Sequence, residues 1–318
     1  SSSHIGYILR LGAQNSIVAV GEGRYIADSA LYYRVEAAKG GKMQRPANPV
    51  AEVGYGIDMD LEKLMTLKPD LIMTFSSGGS QDDYRRLDAL KLPVMLTSEW
   101  QESGVLEKAY WLKLYGALFG KEALADSILK GVQVEALREE ARNCKGRRVL
   151  AGMSHGGVWY APGGLSYTAD LIRRSGGCYL WDGDSSREIR LTLEEVLVLS
   201  DSIDLWINPG MYKSPGEILG AEPRVGRIKA FRNQRVFQND GCRGPAGGND
   251  FYEGAVARPA ELVSNLGGLI LKDYLLPEGA SRDNQKSSSS LTLGSPSPDG
   301  EKQGEKGGWR CPWYHNIF

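Results

Sequence analysis

Apolar residues recur in two rhythms that alternate along most of this chain. Residues 17–20 (Ile-Val-Ala-Val) form a short apolar run closed by Gly21-Glu22-Gly23, the pattern of a buried strand ending in a turn. Leu61, Leu64, Met65 and Leu67 repeat at helical spacing behind Asp60, a residue type that caps helices. Pro69-Asp70 breaks that helix ahead of a strand over 71–75. Gly78-Gly79 then turns the chain toward a helix over 82–90 and a strand over 93–96. Strands alternating with helices predict parallel βαβ units, with the sheet covered on both faces.

The rhythm changes between about 103 and 143. Val105, Ala109, Leu112, Tyr115, Ala117 and Leu118 begin a long helical pattern, which Leu124, Ile128, Val132, Val134 and Leu137 continue. Some ~40 helical residues at ~1.5 Å each would reach ~60 Å, more than one domain's width. The pattern therefore predicts a break at Gly120 or a helix bridging two lobes. Strands are expected again over 149–153, 204–208 and 235–238, and a helix over 260–276 ahead of Pro277. These shifts predict an N-terminal lobe (1–98), an interlobe helical segment (99–146) and a C-terminal lobe (147–276). Residues 277–318 are rich in Ser, Gly, Pro, Lys and Glu and read as a disordered tail, although 309–318 are unusually aromatic.

Bulk composition removes several function classes. At 318 residues the chain suits two domains, and 42% hydrophobic with 24% charged residues is ordinary globular material. The 38 basic and 39 acidic residues leave a net charge of −1, with no concentrated basic footprint for nucleic acid. No apolar run is long enough to cross a bilayer. The opening Ser1-Ser2-Ser3-His4 lacks the basic start and apolar stretch of a secretory signal. Cys144, Cys178, Cys242 and Cys311 include no CxxC pair, which argues against structural zinc. Free thiols are the expectation, with a Cys178–Cys242 disulfide as the alternative. His4 and His155 alone in the body of the chain are too few for direct capture of zinc or manganese, so no protein metal centre and no intrinsic cofactor are expected.

Two segments echo one another. Residues 59–67 lead to Asp70-Leu71-Ile72-Met73, and 191–199 lead to Asp204-Leu205-Trp206-Ile207. Both read Leu-Glu-x-apolar-apolar-x-Leu, a polar break, then Asp-Leu and a strand. Each is followed by a second helix and strand. Either βαβ units simply look alike, or the chain has two pseudo-equivalent lobes. In the second case Glu62 and Glu194 hold equivalent places at helix starts, where the macrodipole already favours a carboxylate. They could also meet a symmetric partner carrying basic sockets.

The phrase Leu61-Glu62-Lys63-Leu64, continuing to Leu67-Lys68-Pro69-Asp70-Leu71-Ile72, resembles the binding proteins that serve ATP-driven (ABC) importers of cobalamin, haem and ferric siderophores. Gly248-Asn249-Asp250-Phe251 and Arg258-Pro259-Ala260-Glu261-Leu262 resemble the end of such proteins, especially their iron-complex branch. The likeness covers about residues 1–276. The opening residues resemble the loop after the family's first strand, so that strand is expected to be missing. The resemblance implies an α/β protein of two Rossmann-like lobes with parallel sheets joined by a long interlobe helix, the class III periplasmic-binding-protein fold. It implies capture of a metal chelate (an iron–siderophore complex, haem or cobalamin) in the interlobe cleft. The partner implied is an ABC permease dimer with its ATPase, met through Glu62 and Glu194, with Glu195 an alternative to the latter. The place implied is the periplasm, or a lipid anchor at the bacterial cell envelope.

Loops that follow strands are where α/β sheets present ligands, and a bulky chelate needs apolar faces with a few directed polar groups. The candidates in the first lobe are Ser3, His4, Tyr55, Ser77 and Trp100. Those in the second are His155, Trp159, Tyr160, Tyr212, Arg243, Asn249, Asp250 and Phe251. Trp159 and Tyr160 could equally be core aromatics, Arg243 a solvated loop residue, and the two histidines ordinary hydrogen-bonding side chains. The rival class is a hydrolase-like α/β enzyme using the Ser154/His155 loop. Against it stand the absence of a Gly-x-Ser-x-Gly elbow and of a phosphate-cradling Gly-Lys-Ser/Thr loop.

Overall fold

The structure is a computed structural model and describes residues 2–40, 47–75, 83–136, 146–181, 183–271 and 312–318. In the first third the elements are α1 (Ser2–Arg10), β1 (Ala19–Val20), α2 (Ser29–Ala38), β2 (Ala51–Glu52), α3 (Leu61–Leu67), β3 (Ile72–Thr74), α4 (Asp83–Ala89) and β4 (Val94–Leu96). Two helices follow, α5 (Val105–Leu118) and α6 (Glu122–Ala136). Then come β5 (Arg148–Ala151), β6 (Met153–His155), β7 (Val158–Ala161), α7 (Tyr167–Arg174), β8 (Cys178–Tyr179), β9 (Ile189–Thr192) and α8 (Leu193–Val198). The chain continues through β10 (Leu205–Ile207), α9 (Pro215–Ala221), α10 (Lys229–Arg232), β11 (Val236–Gln238), α11 (Pro259–Leu271) and β12 (His315–Asn316).

The helix starts follow local chemistry. Asp28 accepts the Leu31 amide at 2.7 Å and opens α2, and Asp60 accepts the Lys63 amide at 2.9 Å and opens α3. Thr192 and Glu195 satisfy each other's amides in a capping box at α8. The expected break at Gly120 is present: it sits at φ +61, between α5 and α6, which pack against each other with Ala125 close to Gly116.

The echo becomes two matched parallel pairs. In the first lobe β3 and β4 align Ile72 with Val94. In the second, β10 and β11 align Trp206 with Val236. Ile72 donates its amide to the Pro93 carbonyl, as Trp206 does to that of Arg235. β1 pairs with β2 in parallel, and the C-terminal sheet runs β12-β11-β10-β5-β8.

Three expectations need correction. First, the sheets are not all parallel, because β6, β7 and β9 form a separate antiparallel sheet and β12 joins β11 antiparallel. Second, the end of the supposed disordered tail is ordered: Trp313 and Tyr314 are buried in the second lobe's core and Ile317 in a neighbouring cluster. Burial of these three large apolar side chains accounts for the order of 312–318, and residues 272–311 lie outside the described residues. Third, Cys178 and Cys242 are disulfide-bonded, not free. The only other cysteines in the sequence, Cys144 and Cys311, lie outside the described residues. Among the described residues no helix is long and apolar enough to cross a membrane.

Candidate functional site

The loops leaving the parallel strands gather two cavities. The first, of 460 Å³, is lined by Glu22, Arg24, Tyr32, Lys39 and Glu52 from the first lobe and Ala246 from the second. The second, of 600 Å³, is lined by Tyr212 and Lys213 after β10, Gln238, Asp240 and Arg243 at and after β11, and His315 in β12.

Residues 239–254, the loop after β11, tie the second lobe to the first. Gly248 packs so closely on residues 25–26 that a Cβ there would collide with the Tyr25 and Ile26 carbonyls. Glu253, fully buried, accepts the Ala27 amide at 3.0 Å and the Asp28 amide at 2.8 Å. Burial dominates its titration, assisted by the nearby Asp250 and Asp28 carboxylates, and raises its pKa from an ordinary 4.5 to about 7 despite the two amides. A raised folded-state value stabilises the protein fully below the unfolded value and loses that contribution as pH rises through about 7. The full swing is about 3 kcal/mol, most of it between pH 5 and 8. Urea unfolding at those two pH values should show it, and Glu253→Gln should flatten the difference. An unchanged pH profile in the variant would contradict this role.

The predicted ligand residues separate into three groups. Tyr55, Trp100 and His155 are exposed, Tyr55 at 53% and Trp100 at 48%. Tyr55 follows β2 beside Gly54, whose amide bonds the Gly21 carbonyl. Tyr212 and Arg243 meet in the second cavity, and half-buried Tyr160 lies under the Arg190 guanidinium at 5.7 Å. Asn249 bridges to Arg243 along the backbone and accepts the Phe251 amide through Oδ1. These side chains are exposed or half-buried.

A second group is turned inward. Trp159 is fully buried, its ring centre 5.2 Å from that of Trp206 with the two planes tilted by 47°, and it donates its indole N–H to the Ala151 carbonyl. It is a core residue rather than a cleft one. Phe251 is buried in the same core as Trp313, and Asp250 accepts the Trp313 indole N–H at 2.8 Å while bonding the Gly254 amide. Ser3 and His4 lie in the first turn of α1. Ser3 donates to Glu99 at 2.5 Å, and the His4 Nε2 is 2.6 Å from the Thr97 hydroxyl and 3.2 Å from Glu99. Burial pushes the His4 imidazole below its ordinary value, against the opposing Glu99 hydrogen bond. Both side chains are thus committed inside the first lobe. The third group is Ser77 alone, outside the described residues.

Ser154 and His155 occupy successive positions of β6, so their side chains project to opposite faces. Ser154 is buried, its hydroxyl without a hydrogen-bond partner among the described residues, and His155 is exposed. The two side chains are therefore not placed as a nucleophile–base pair. Among the described residues no three His, Cys, Asp or Glu side chains gather as a metal site.

Glu62 is exposed in the first turn of α3. Glu194 holds the matching place in α8, 67% exposed, with its carboxylate 2.6 Å from the Arg224 guanidinium. Glu195, the alternative, is spent on the capping box. Sequence reasoning missed Lys213, Glu253 and His315. His315 was hidden by its place after a low-complexity stretch, and Glu253 carries no motif beyond its glycine-rich surroundings.

Two α/β lobes with paired parallel strands, a helical connection and loops converging between them define a ligand-binding scaffold of the two-lobed type. The chain belongs to the periplasmic binding protein family, whose pattern it matches over residues 1–241. Its fold is shared by a possible iron-binding periplasmic solute-binding protein of Staphylococcus epidermidis (16% identical, TM-score 0.58, covering 85% of this chain and 96% of that one). It is also shared by the periplasmic heme-binding protein HutB of Vibrio cholerae (18% identical, TM-score 0.58, covering 83% and 96%). A curated relative, an uncharacterized lipoprotein of Methanocaldococcus jannaschii, is 19% identical over 227 residues, which is 70% of this chain. The chain spans about half of that relative's length, 52%.

Proposed function

We propose that this chain is the substrate-binding component of an ABC importer, capturing a metal chelate between its lobes and delivering it to a membrane permease. The chelate class is an iron–siderophore complex, haem or cobalamin. The observation that carries this reading is membership of the binding-protein family across both lobes, with exposed aromatic and polar side chains on the loops between them. The fold neighbour described as a periplasmic heme-binding protein favours the iron-complex arm.

Tyr55 and His155 are the residues best suited to meet iron directly, because phenolate oxygen and imidazole nitrogen are both axial ligands of haem iron. Trp100 and Tyr160 supply apolar faces, and Arg243 and Asn249 supply donors for ligand oxygens. The chain works outside the cytoplasm at the cell envelope. Disulfide-bonded Cys178 and Cys242 fit an oxidising compartment, and the lipoprotein relative fits a lipid anchor. Its partner is a permease dimer with its ATPase, engaged through Glu62 and Glu194.

The reading is tested in cells carrying the cognate permease under iron limitation. Removing the chain should abolish growth on its chelate as sole iron source, and restoring it should restore growth. Growth unaffected by removal would set the importer reading aside.

A further inference from the structure

We propose that the carboxy-terminal strand completes an anion subsite on the second lobe, built to hold the carboxylate of a small-molecule ligand. The inference rests on the capture reading above only for the claim that such a carboxylate can belong to the transported chelate. Its place is the 600 Å³ cavity where the loops after β10 and β11 meet β12. The register sets His315 opposite Gln238, at the carboxyl end of β11, where sheets of this class present ligands.

The charges in this cavity do not cancel. Lys213 and Arg243 bring two fixed positive charges and Asp240 one negative. Asp240 is already occupied on both oxygens: Arg243 pairs with one, and the His315 Nε2 lies 2.5 Å from the other. These two partners hold its pKa below the ordinary value although burial pushes the other way. The carboxylate is therefore spent, and it fixes the imidazole and guanidinium at the cavity wall. Lys213 is exposed, and its ammonium has no hydrogen bond or ion pair among the described residues. Arg243 donates from Nη1 to the Gly247 carbonyl and from Nη2 to Asp240, leaving further N–H groups of its five for a ligand. Gln238 already gives one amide N–H to the Gly210 carbonyl. An anionic oxygen entering between Lys213 and Arg243 would find two cationic donors and the edge of a positioned imidazole.

The strand is not a passive lid. His315 follows directly on Trp313 and Tyr314, both locked in the lobe's core, and Gly241 donates its amide to the Trp313 carbonyl. The subsite therefore depends on a segment beyond residues 1–241, the part that matches the family.

The chain has three histidines, so the His315 ring signal can be assigned by comparison with His315→Gln and followed by heteronuclear NMR. Metal-free citrate should perturb that signal saturably at millimolar concentration, and Lys213→Met and Arg243→Met should each weaken the response about tenfold. No saturable change up to about 10 mM citrate, or an equal change with sodium chloride of matched ionic strength, would overturn the subsite. Gallium(III) citrate, a diamagnetic stand-in for the ferric complex, is titrated in parallel. A tighter response than to citrate assigns the carboxylate to a carried chelate, and an equal one to a free carboxylate. Because citrate carries no metal, a positive citrate result alongside failed chelate binding would refute the capture reading alone. Chelate binding without a citrate response would refute the subsite alone.

Discussion

Replacing Trp313 with Ala is expected to destabilise the protein by about 3–5 kcal/mol, the cost of emptying a large buried aromatic site. The side chain is 1% exposed and packs in the second lobe's core with Phe251 and Tyr314, whose rings meet edge to face at 5.7 Å. Its indole N–H also donates to Asp250, a largely buried carboxylate whose pKa burial raises. Removing the indole strips a donor from that carboxylate and opens a void, so the two losses add. Chemical denaturation of the variant measures the effect. A loss below about 1 kcal/mol would mean that residues 312–318 behave as a dispensable tail.

The second large effect is functional. Glu62→Ala combined with Glu194→Ala should reduce chelate uptake by roughly tenfold or more while leaving ligand affinity unchanged, because removing both charged anchors of a docked complex typically costs several kcal/mol. Both carboxylates are exposed and stand in the first turns of α3 and α8, helices that lead into the matched strands β3 and β10. Exposed carboxylates contribute little to folding, and the Glu194–Arg224 pair is a solvent-screened surface ion pair of the kind that adds little stability. The variant should therefore fold normally. Glu195→Ala serves as the contrast, losing the α8 capping box with uptake retained. Uptake unchanged in the double variant would remove Glu62 and Glu194 from docking.

The echo between 59–73 and 191–207 was legible because each half repeats the same helix, break and strand, and the strands pair in the same way in both lobes. The antiparallel sheet was less so, although its signal was present. Gly156 and Gly157, at φ +59 and +79, make the two-residue turn that joins β6 to β7, and such glycine pairs favour hairpins. That hairpin explains why Trp159 faces the core and His155 does not. The alternation of β7 buries Trp159 and Ala161 while Val158 and Tyr160 stay half-exposed. A disulfide was offered only as the alternative to free thiols, since sequence spacing cannot tell which cysteines come close in the fold. His315 was hidden for a similar reason. A strand of two residues, His315–Asn316, carries no periodicity, and only its pairing with Phe237 and Gln238 places it. Tyr55 and Arg243 stand on strand-following loops as the α/β pattern anticipates, whereas Ser3 and His4 were drawn into the first lobe by Glu99 and Thr97.

Capture of a metal chelate is tested most directly by equilibrium titration of the purified chain, following its tryptophan fluorescence against haem, ferric catecholate and hydroxamate siderophores, and cobalamin. One of these should quench saturably with a dissociation constant of about 1 μM or tighter, and Tyr55→Ala should weaken it about tenfold or more. Absence of saturable binding to every member of the panel at micromolar concentration would contradict the account.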